Sequence, residues 1–290
     1  MQISDRMLLI ISITLLSFTG LCIKNSIDSS SQLLGVTGVR SFLAIVLWFA
    51  FFRYSNWSLK EIFFVTKSQM FIGMALALTN ITFVYATLLT TAHNAVFLQY
   101  IYPIWIAIIS YVLWKIRVSK TDLVVLPLLC LGMALLVWDG FTSHSLIGTL
   151  VGILCGISYA FVILFLSQQV CPLARLKCLF FGNILTIVVA LPFFSGLTTS
   201  SSEQWIWMLL LGIVSFGIPW IILTKVLQSV KPLDLAIFSM FGPVLNPIWV
   251  AIAPPYEIPG NIAIFGAIII VIAILYRVVV NYSISPGVTR

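Results

Sequence analysis

Polar and aromatic side chains recur inside the long apolar runs of this chain. A polar group in a hydrocarbon environment is usually kept only where it faces another helix or a cavity. Such groups can hold a small solute through hydrogen bonds and ring faces. The residues concerned are Asn80, Thr82, Tyr85, His93, Asn94, Gln99, Tyr100, Tyr102, Ser158, Tyr159, Asn183, Ser215, Trp220, Ser239 and Asn246. Their chemistry favours binding over bond breaking.

Arrangements that would support catalysis are missing from the sequence. The two histidines, His93 and His144, lie far apart, and neither a GxSxG nor an HExxH pattern occurs. No paired aspartates fall in the middle of an apolar run, and no GxxxxGK[ST] phosphate-binding loop is present. The five cysteines form no CxxC pair and indicate core packing rather than a metal site or disulfides. The sequence predicts no enzyme activity, no metal and no cofactor.

Charged residues in the apolar runs are few, and their roles stay open. Lys24 ends the first run and Arg40 lies early in the second, so both are predicted near the outer mouth. Either they attract an anionic group such as a substrate carboxylate, with Asp28 as a neighbouring partner, or they extend to lipid phosphates. No acidic residue lies clearly at the middle of a run, and we favour a polar cap over a proton relay for His93. Facilitated diffusion or exchange is therefore expected rather than proton-driven pumping.

The elements that must position these groups are membrane spans. Of the 290 residues 61% are hydrophobic and only 8% are charged, with a mean hydropathy of +1.15. A soluble domain carries about 25% charged residues, so lipid must be the solvent for most of this chain. Although the net charge is +7, the basic residues are scattered through the loops, which argues against a nucleic-acid partner.

Ten apolar segments of span length fill the sequence. A helix needs roughly 20 apolar residues to cross a bilayer. The predicted spans are 7–24, 33–52, 68–89, 92–114, 121–138, 147–167, 178–195, 205–225, 234–253 and 261–281. With the amino terminus inside, 13 of the 15 lysines and arginines fall on cytoplasmic segments. This bias predicts that both termini are cytoplasmic.

An internal repeat relates the two halves of the chain. The run from Tyr102 to Ala107 (YPIWIA) aligns with the run from Asn246 to Ala251 (NPIWVA) at a shift of 144 positions. These runs lie in the fourth and ninth spans. Because each half has an odd number of spans, the second copy must be inverted, as in many transporters. The predicted units are two five-helix repeats, residues 1–143 and 144–290, in an all-α membrane protein.

Prolines and glycines inside the spans are candidate hinges. A proline removes a backbone hydrogen bond within a helix and permits a bend. The candidate hinge residues are Pro103, Gly217, Pro219 and Pro247.

The sequence resembles the drug/metabolite transporter superfamily, specifically its EamA-type branch with ten spans. The similarity includes a first span that ends in a lysine (FTGLCIK, ending at Lys24) and an arginine early in the second span (VRSFLA, with Arg40). It also includes the small-residue start and the proline of the fourth and ninth spans, with Glu257 after the latter. The Gly-Glu pair usual in the first half is replaced by residues 115–117 (KIR).

The resemblance implies a function and a site. It implies a secondary transporter for a small organic metabolite (an amino acid, a nucleoside-like metabolite or S-adenosylmethionine) in a bacterial cytoplasmic membrane, working by alternating access as a uniporter or exchanger. The alternative that we retain is a lipid scramblase or another lipid-handling protein. The implied partners are the substrate and the bilayer, and the oligomeric state is left open. The implied cavity-lining residues are Tyr85, Gln99, Tyr102, Tyr159, Trp220 and Asn246.

Overall fold

The computed structural model describes residues 3–54, 64–90, 92–138, 146–253 and 260–284, which are helical with short turns and contain no strand. The helices are α1 (Ile3–Ser17), α2 (Thr19–Ser26), α3 (Leu33–Tyr54), α4 (Lys67–Leu89), α5 (Ala92–Tyr100), α6 (Tyr102–Trp114), α7 (Lys120–Leu136), α8 (Leu146–Ser167), α9 (Pro172–Ala190), α10 (Ser202–Leu209), α11 (Ile218–Val226), α12 (Pro232–Ser239), α13 (Phe241–Ile252) and α14 (Asn261–Ile284). Two 3-10 segments, Ser30–Gln32 and Leu191–Leu197, and a π segment, Leu210–Gly217, complete them.

Eight helical segments of the described residues are long and apolar enough to cross a membrane. They correspond to eight of the ten predicted spans. The other two predictions coincide with α7, which has 17 residues, and with α12 and α13, which are separated at Met240. The chain is therefore an all-α, multi-pass membrane protein, while the number ten and the inverted repeat remain predictions.

Local sequence signals explain where the helices begin. Thr66 and Gln69 form a capping box before α4, and Ser201 and Gln204 form another before α10. Ser119 caps α7 by accepting a hydrogen bond from the Asp122 backbone. These side chains satisfy amide groups that the first turn leaves unpaired, so each span begins at a defined residue next to the water.

Proline explains two of the helix breaks. Its ring displaces the carbonyl four residues before it. Pro103 thus accounts for the break at Ile101 between α5 and α6. Pro243 accounts for the break at Met240, whereas the predicted hinge residue Pro247 lies inside α13. Gly217 and Pro219, the other predicted hinge residues, lie at the end of the π segment and at the start of α11.

Two buried arginines near helix ends, Arg175 and Arg277, connect neighbouring helices at one face of the bundle. The Arg277 side chain of α14 donates to Asp122 of α7 and to Asp234 of α12, both at 2.6 Å. Arg175 of α9 donates to carbonyls near the ends of α8 and α11, at 3.2 and 2.8 Å. Since these residues were predicted on cytoplasmic segments, we call this face the inner end of the bundle and the opposite face its outer end.

One apolar cluster fills the inner end and joins both halves of the chain. It includes Leu9 of α1, Phe52 of α3, Leu166 of α8, Val226 of α11 and Leu235 of α12, all nearly inaccessible to solvent. The apolar clusters found toward the outer end are smaller, and one of them joins only α2, α3, α10, the π segment and residue Leu197. The described helices are therefore held together more continuously at the inner end.

Candidate functional site

A cationic side chain lies inside the bundle, between α3, α4 and the π segment. Arg40 is half-buried, and its Nη2 donates to Oδ1 of Asn80 at 2.9 Å. Its guanidinium carbon lies 4.3 Å from the ring centre of Phe216. Asn80 in turn donates from Nδ2 to the Thr186 hydroxyl of α9 at 3.1 Å. The Arg40 guanidinium therefore contacts two neutral groups, an amide and an aromatic ring face.

Three tyrosines form the adjoining wall. The ring centres of Tyr102 and Tyr159 are 4.7 Å apart, and those of Tyr100 and Tyr102 are 6.4 Å apart. The Tyr102 hydroxyl donates to the Ala236 carbonyl of α12 at 3.4 Å. The wall thus joins the fourth predicted span to the sixth and the ninth. Since Tyr102 is 1% exposed, the ring surface that remains accessible belongs to the half-buried Tyr100 and Tyr159.

Polar groups continue from Arg40 into the opposite wall. Thr19 of α2 and Ser215, next to Phe216 in the π segment, share a hydrogen bond of 2.6 Å. Trp249 of α13 donates from Nε1 to the Ser17 hydroxyl at 2.7 Å and stacks on Phe18. The turn between α1 and α2 is therefore bonded on both sides to helices of the second half.

The Asn246 side chain of α13 completes this opposite wall. It lies directly against Gly20, the residue after Thr19. Only a glycine leaves room for the amide at this position, since a Cβ atom would overlap it. We use the term central group for Arg40, Asn80, Phe216, the three tyrosines and this opposite wall, which consists of Ser17, Phe18, Thr19, Gly20, Ser215, Asn246 and Trp249.

Two buried polar atoms of the central group have no hydrogen-bond partner among the described residues. They are Nε of Arg40, a donor, and Oδ1 of Asn246, an acceptor. An unpaired buried polar atom costs about 1–3 kcal/mol. Native structures contain few such atoms, and each calls for a physical explanation. Bonding to a solute is one such explanation.

The structure brings several of the predicted lining residues together. Tyr102 and Tyr159 are in ring contact, and Asn246 lies across from them in the wall formed with Gly20. Trp220 is 2% exposed and packs edge-on against Phe216, within the inner apolar cluster. It supports the central group from the inner side.

The remaining two predicted lining residues lie apart from these contacts. Gln99 is half-buried on α5 beside Tyr100. Tyr85 is not brought into the group. It is 42% exposed and lies seven and fourteen residues after Leu78 and Phe71, which are also exposed. Because a spacing of seven residues keeps side chains on one helix face, Tyr85 shares the outward apolar face of α4.

The two basic residues predicted near the outer mouth differ in their environment. Lys24 is exposed in the last turn of α2. Arg40, in contrast, turns into the bundle, where Asn80 and Phe216 take up its guanidinium. Arg40 lies seven residues after the start of α3, and its location near the outer mouth stays a prediction.

Some contacts in and around the central group were not predicted from the sequence. Thr186 and the pairing of Thr19 with Ser215 were not predicted. A polar residue in an apolar span needs a partner on another helix, but the sequence does not say which one.

The side chain of His93 and residues 139–145 and 254–259, including His144 and Glu257, lie outside the described part. In that part no three histidine, cysteine or acidic residues come together to hold a metal ion.

Comparisons with known proteins agree with this architecture. Residues 6–138 match the model of the EamA-like transporter family. An uncharacterized transporter of Archaeoglobus fulgidus is 23% identical over 197 residues, which cover 68% of this chain and 71% of that protein. A solved crystal structure of another protein superposes with a TM-score of 0.82 over 97% of this chain and 99% of that chain, at 15% identity. The last comparison shows that the described residues adopt a fold already observed by experiment.

Proposed function

We propose that the whole chain is a secondary transporter for a small organic metabolite, because residues 6–138 match the model of the EamA-like transporter family. The substrate would be an amino acid, a nucleoside-like metabolite or S-adenosylmethionine, held in the central group and released by alternating access. The membrane would be the cytoplasmic membrane of a bacterium. The observation that carries the proposal is the family match, and the central group gives it a site.

We propose that residues 1–143 and 144–290 form two inverted repeats of five spans each. Contacts support this pairing. The repeat at a shift of 144 positions relates Trp249 to Trp105. We place Ser17 opposite Gly156, a shift of 139, because both are small residues that contact these tryptophans. Ser17 bonds Trp249, and Gly156 lies against Trp105. Contacts between the first and ninth spans therefore have counterparts between the sixth and fourth.

A second pair of contacts follows the same shifts. Gly20 corresponds to Tyr159, and Asn246 corresponds to Tyr102. Gly20 touches Asn246, and Tyr159 touches Tyr102. The central group would thus lie on the axis that relates the two halves, where substrates of inverted-repeat transporters bind. One wall is aromatic and the other carries an amide.

The inner apolar cluster favours an outward-facing state. It joins residues of both halves and extends from the inner end to Tyr102 and Phe216. The outer clusters also join both halves, but they contain fewer buried residues. Opening toward the cytoplasm would then require the halves to separate there. The helix breaks at Ile101 and Met240 and the π segment before Pro219 are the points where bending costs least.

We propose uniport or exchange rather than coupling to protons. Among the described residues no carboxylate contacts the central group. A proton relay in the membrane needs such a titratable carrier. His93 stays a candidate for that role, so pH-gradient-dependent uptake that disappears in His93→Ala would contradict this part of the proposal.

A counterflow assay tests transport itself. Liposomes containing the purified protein are loaded with one unlabelled amino acid, nucleoside or S-adenosylmethionine at millimolar concentration. The same labelled compound is then added outside at micromolar concentration. Transient accumulation above that of protein-free liposomes is expected for one class of compound. Accumulation should be reduced in Tyr159→Ala and preserved in Tyr85→Ala, since Tyr85 lies on the outward face of α4.

A further inference from the structure

We infer that Arg40 is the anchor for a carboxylate of the transported substrate. This inference rests on the proposed function and narrows its substrate class to organic acids, amino acids and other solutes that carry a carboxylate. None of the described protein neighbours of Arg40 is an anion, so the inference assigns the anionic partner of this side chain to the substrate.

The charge of Arg40 is not balanced within the described residues. Asp122 and Asp234 are engaged with Arg277 at the inner end. Asp28 and Glu203 are exposed near the outer end, away from the interactions made by Arg40. A charged group kept inside a membrane protein is normally paired or lines a substrate pathway. Since no described carboxylate pairs with Arg40, the second explanation is favoured.

The hydrogen bonds of the guanidinium leave a binding edge unused. A guanidinium carries five N–H groups arranged in a plane. Nη2 donates to Asn80, while Nε is buried without a partner. A carboxylate accepts two parallel hydrogen bonds from such an edge, and these charge-assisted bonds are stronger than neutral ones. The unused Nε therefore matches a carboxylate better than a single hydroxyl or carbonyl group.

The neighbours of Arg40 orient it for this task. Phe216 lies against the face of the guanidinium, and Asn80, itself bonded to Thr186, holds one end of the plane. These contacts fix the side chain without neutralising it. The predicted seventh span, 178–195, which would correspond to the span of Arg40, contains no lysine or arginine. The central group is therefore cationic on one side only.

The test measures which compounds enter liposomes that contain the full-length protein. The external solution holds labelled amino acids, organic acids, nucleosides and organic cations at equal concentrations, and mass spectrometry identifies those retained. Compounds with a carboxylate are expected to dominate. Arg40→Gln should reduce their uptake about tenfold or more, as expected for the loss of a charged hydrogen-bonded contact. Arg40→Lys keeps the charge but loses the planar edge, so its carboxylate uptake should lie between that of the unchanged protein and that of Arg40→Gln. Arg53→Gln, at the exposed end of the same helix, is the matched control.

A second variant keeps the test valid if Arg40→Gln does not fold. Asn80→Asp has nearly the same shape and keeps an acceptor 2.9 Å from Nη2. The Thr186 hydroxyl, which accepts from the Asn80 amide and donates to the Gly182 carbonyl, would have to turn and donate to the new carboxylate. Asn80→Asp would supply the missing carboxylate from within the protein. We expect it to raise the melting temperature, because it pairs a buried charge, and to reduce carboxylate uptake about tenfold. A purely structural role of Arg40 would predict the higher stability without the loss of uptake.

Each other outcome overturns the inference in a distinguishable way. Uptake of neutral or cationic compounds only, unaffected by Arg40→Gln, would leave a transporter without a carboxylate anchor. Carboxylate uptake that both variants leave unchanged would have the same meaning. If no compound entered above the level of protein-free liposomes, the proposed function itself would fail. Arg40-dependent movement of labelled phosphatidylglycerol, without metabolite uptake, would identify the anion as a lipid headgroup.

Discussion

At the scale of single residues, the contact between Gly20 and Asn246 has no spare room. A methyl group at Gly20 would overlap the Asn246 amide. Gly20→Ala is therefore expected to lower stability by about 1–3 kcal/mol, as overpacking does, and to lower the melting temperature of the protein in detergent. The reason is that the Asn246 amide must leave its present position or α2 and α13 must move apart.

Two further variants decide whether that contact is responsible. Gly196→Ala is the control, since nothing lies within 4 Å of the added atom, and its melting temperature should match that of the unchanged protein. Adding Asn246→Ala to Gly20→Ala should restore much of the loss. Equal destabilisation by both single glycine variants would mean that the effect does not come from this contact.

At the residue scale, the sequence places a side chain along its helix but does not predict the direction in which it points. The sequence gives the depth of Arg40 along α3, seven residues after Leu33. It does not give the direction of a long flexible side chain, which is set by Asn80 and Phe216 on other helices. Tyr85 shows the same limit, because an aromatic residue suits a cavity and a lipid-facing surface equally well. The contact of Tyr102 with Tyr159 depends on packing between helices.

At the scale of elements, the break at Met240 is the feature most open to test. Pro243 cannot donate a hydrogen bond to the Ser239 carbonyl. Pro243→Ala would supply that donor and favour a continuous helix from α12 into α13. We expect a severalfold lower rate of counterflow without a lower melting temperature, since a stiffer helix resists bending. An unchanged rate would remove this break from the mechanism. Pro127→Ala, inside the exposed face of α7, is the control.

Element boundaries were largely predictable because hydropathy and capping residues mark them. The predicted spans 68–89 and 147–167 agree with Lys67–Leu89 and Leu146–Ser167. The breaks were harder to predict. Pro243 and Pro247 lie in the same span, and the sequence alone favoured the second. The π segment Leu210–Gly217 depends on how α3 packs against it through Gly212 and Gly217.

At the scale of the whole molecule, Arg277 ties the two halves together at the inner end. It is 5% exposed and bonds Asp122 of the first half and Asp234 of the second. Arg277→Ala would leave the buried Asp122 carboxylate and the half-exposed Asp234 carboxylate without their cation; for a fully buried pair such a loss costs about 3–5 kcal/mol, and the exposure of Asp234 lowers this figure. A marked fall in melting temperature is expected, partly reversed by adding Asp122→Asn. Arg117→Ala, at an exposed site on the same side, should change little. If the melting temperature of Arg277→Ala were as high as that of Arg117→Ala, the ion pairs would contribute no net stability.

The number of spans can be counted by labelling. Single cysteines are placed at Arg117, Trp138, Ser229 and Gly260 in a protein lacking its own five cysteines, and intact cells are treated with an impermeant maleimide. Ten spans with cytoplasmic termini predict reaction at positions 138 and 260 and protection at 117 and 229. The reason is that α7, and α12 with α13, would each cross the membrane. Reaction at both ends of α7, or at neither, would mean that this helix does not cross.

The uncompensated cation at Arg40 has a consequence for the direction of flux. If the substrate carries only its carboxylate charge, an uncoupled carrier moves one negative charge per molecule. A membrane potential that is negative inside acts on that charge with about 2.3 kcal/mol per 100 mV. This electrical force drives the anion out of the cell, even against a moderate concentration gradient. If the chain is a uniporter that binds a singly charged anion at Arg40, as proposed above, this force favours export over uptake, whereas a one-for-one exchange of such anions would move no net charge.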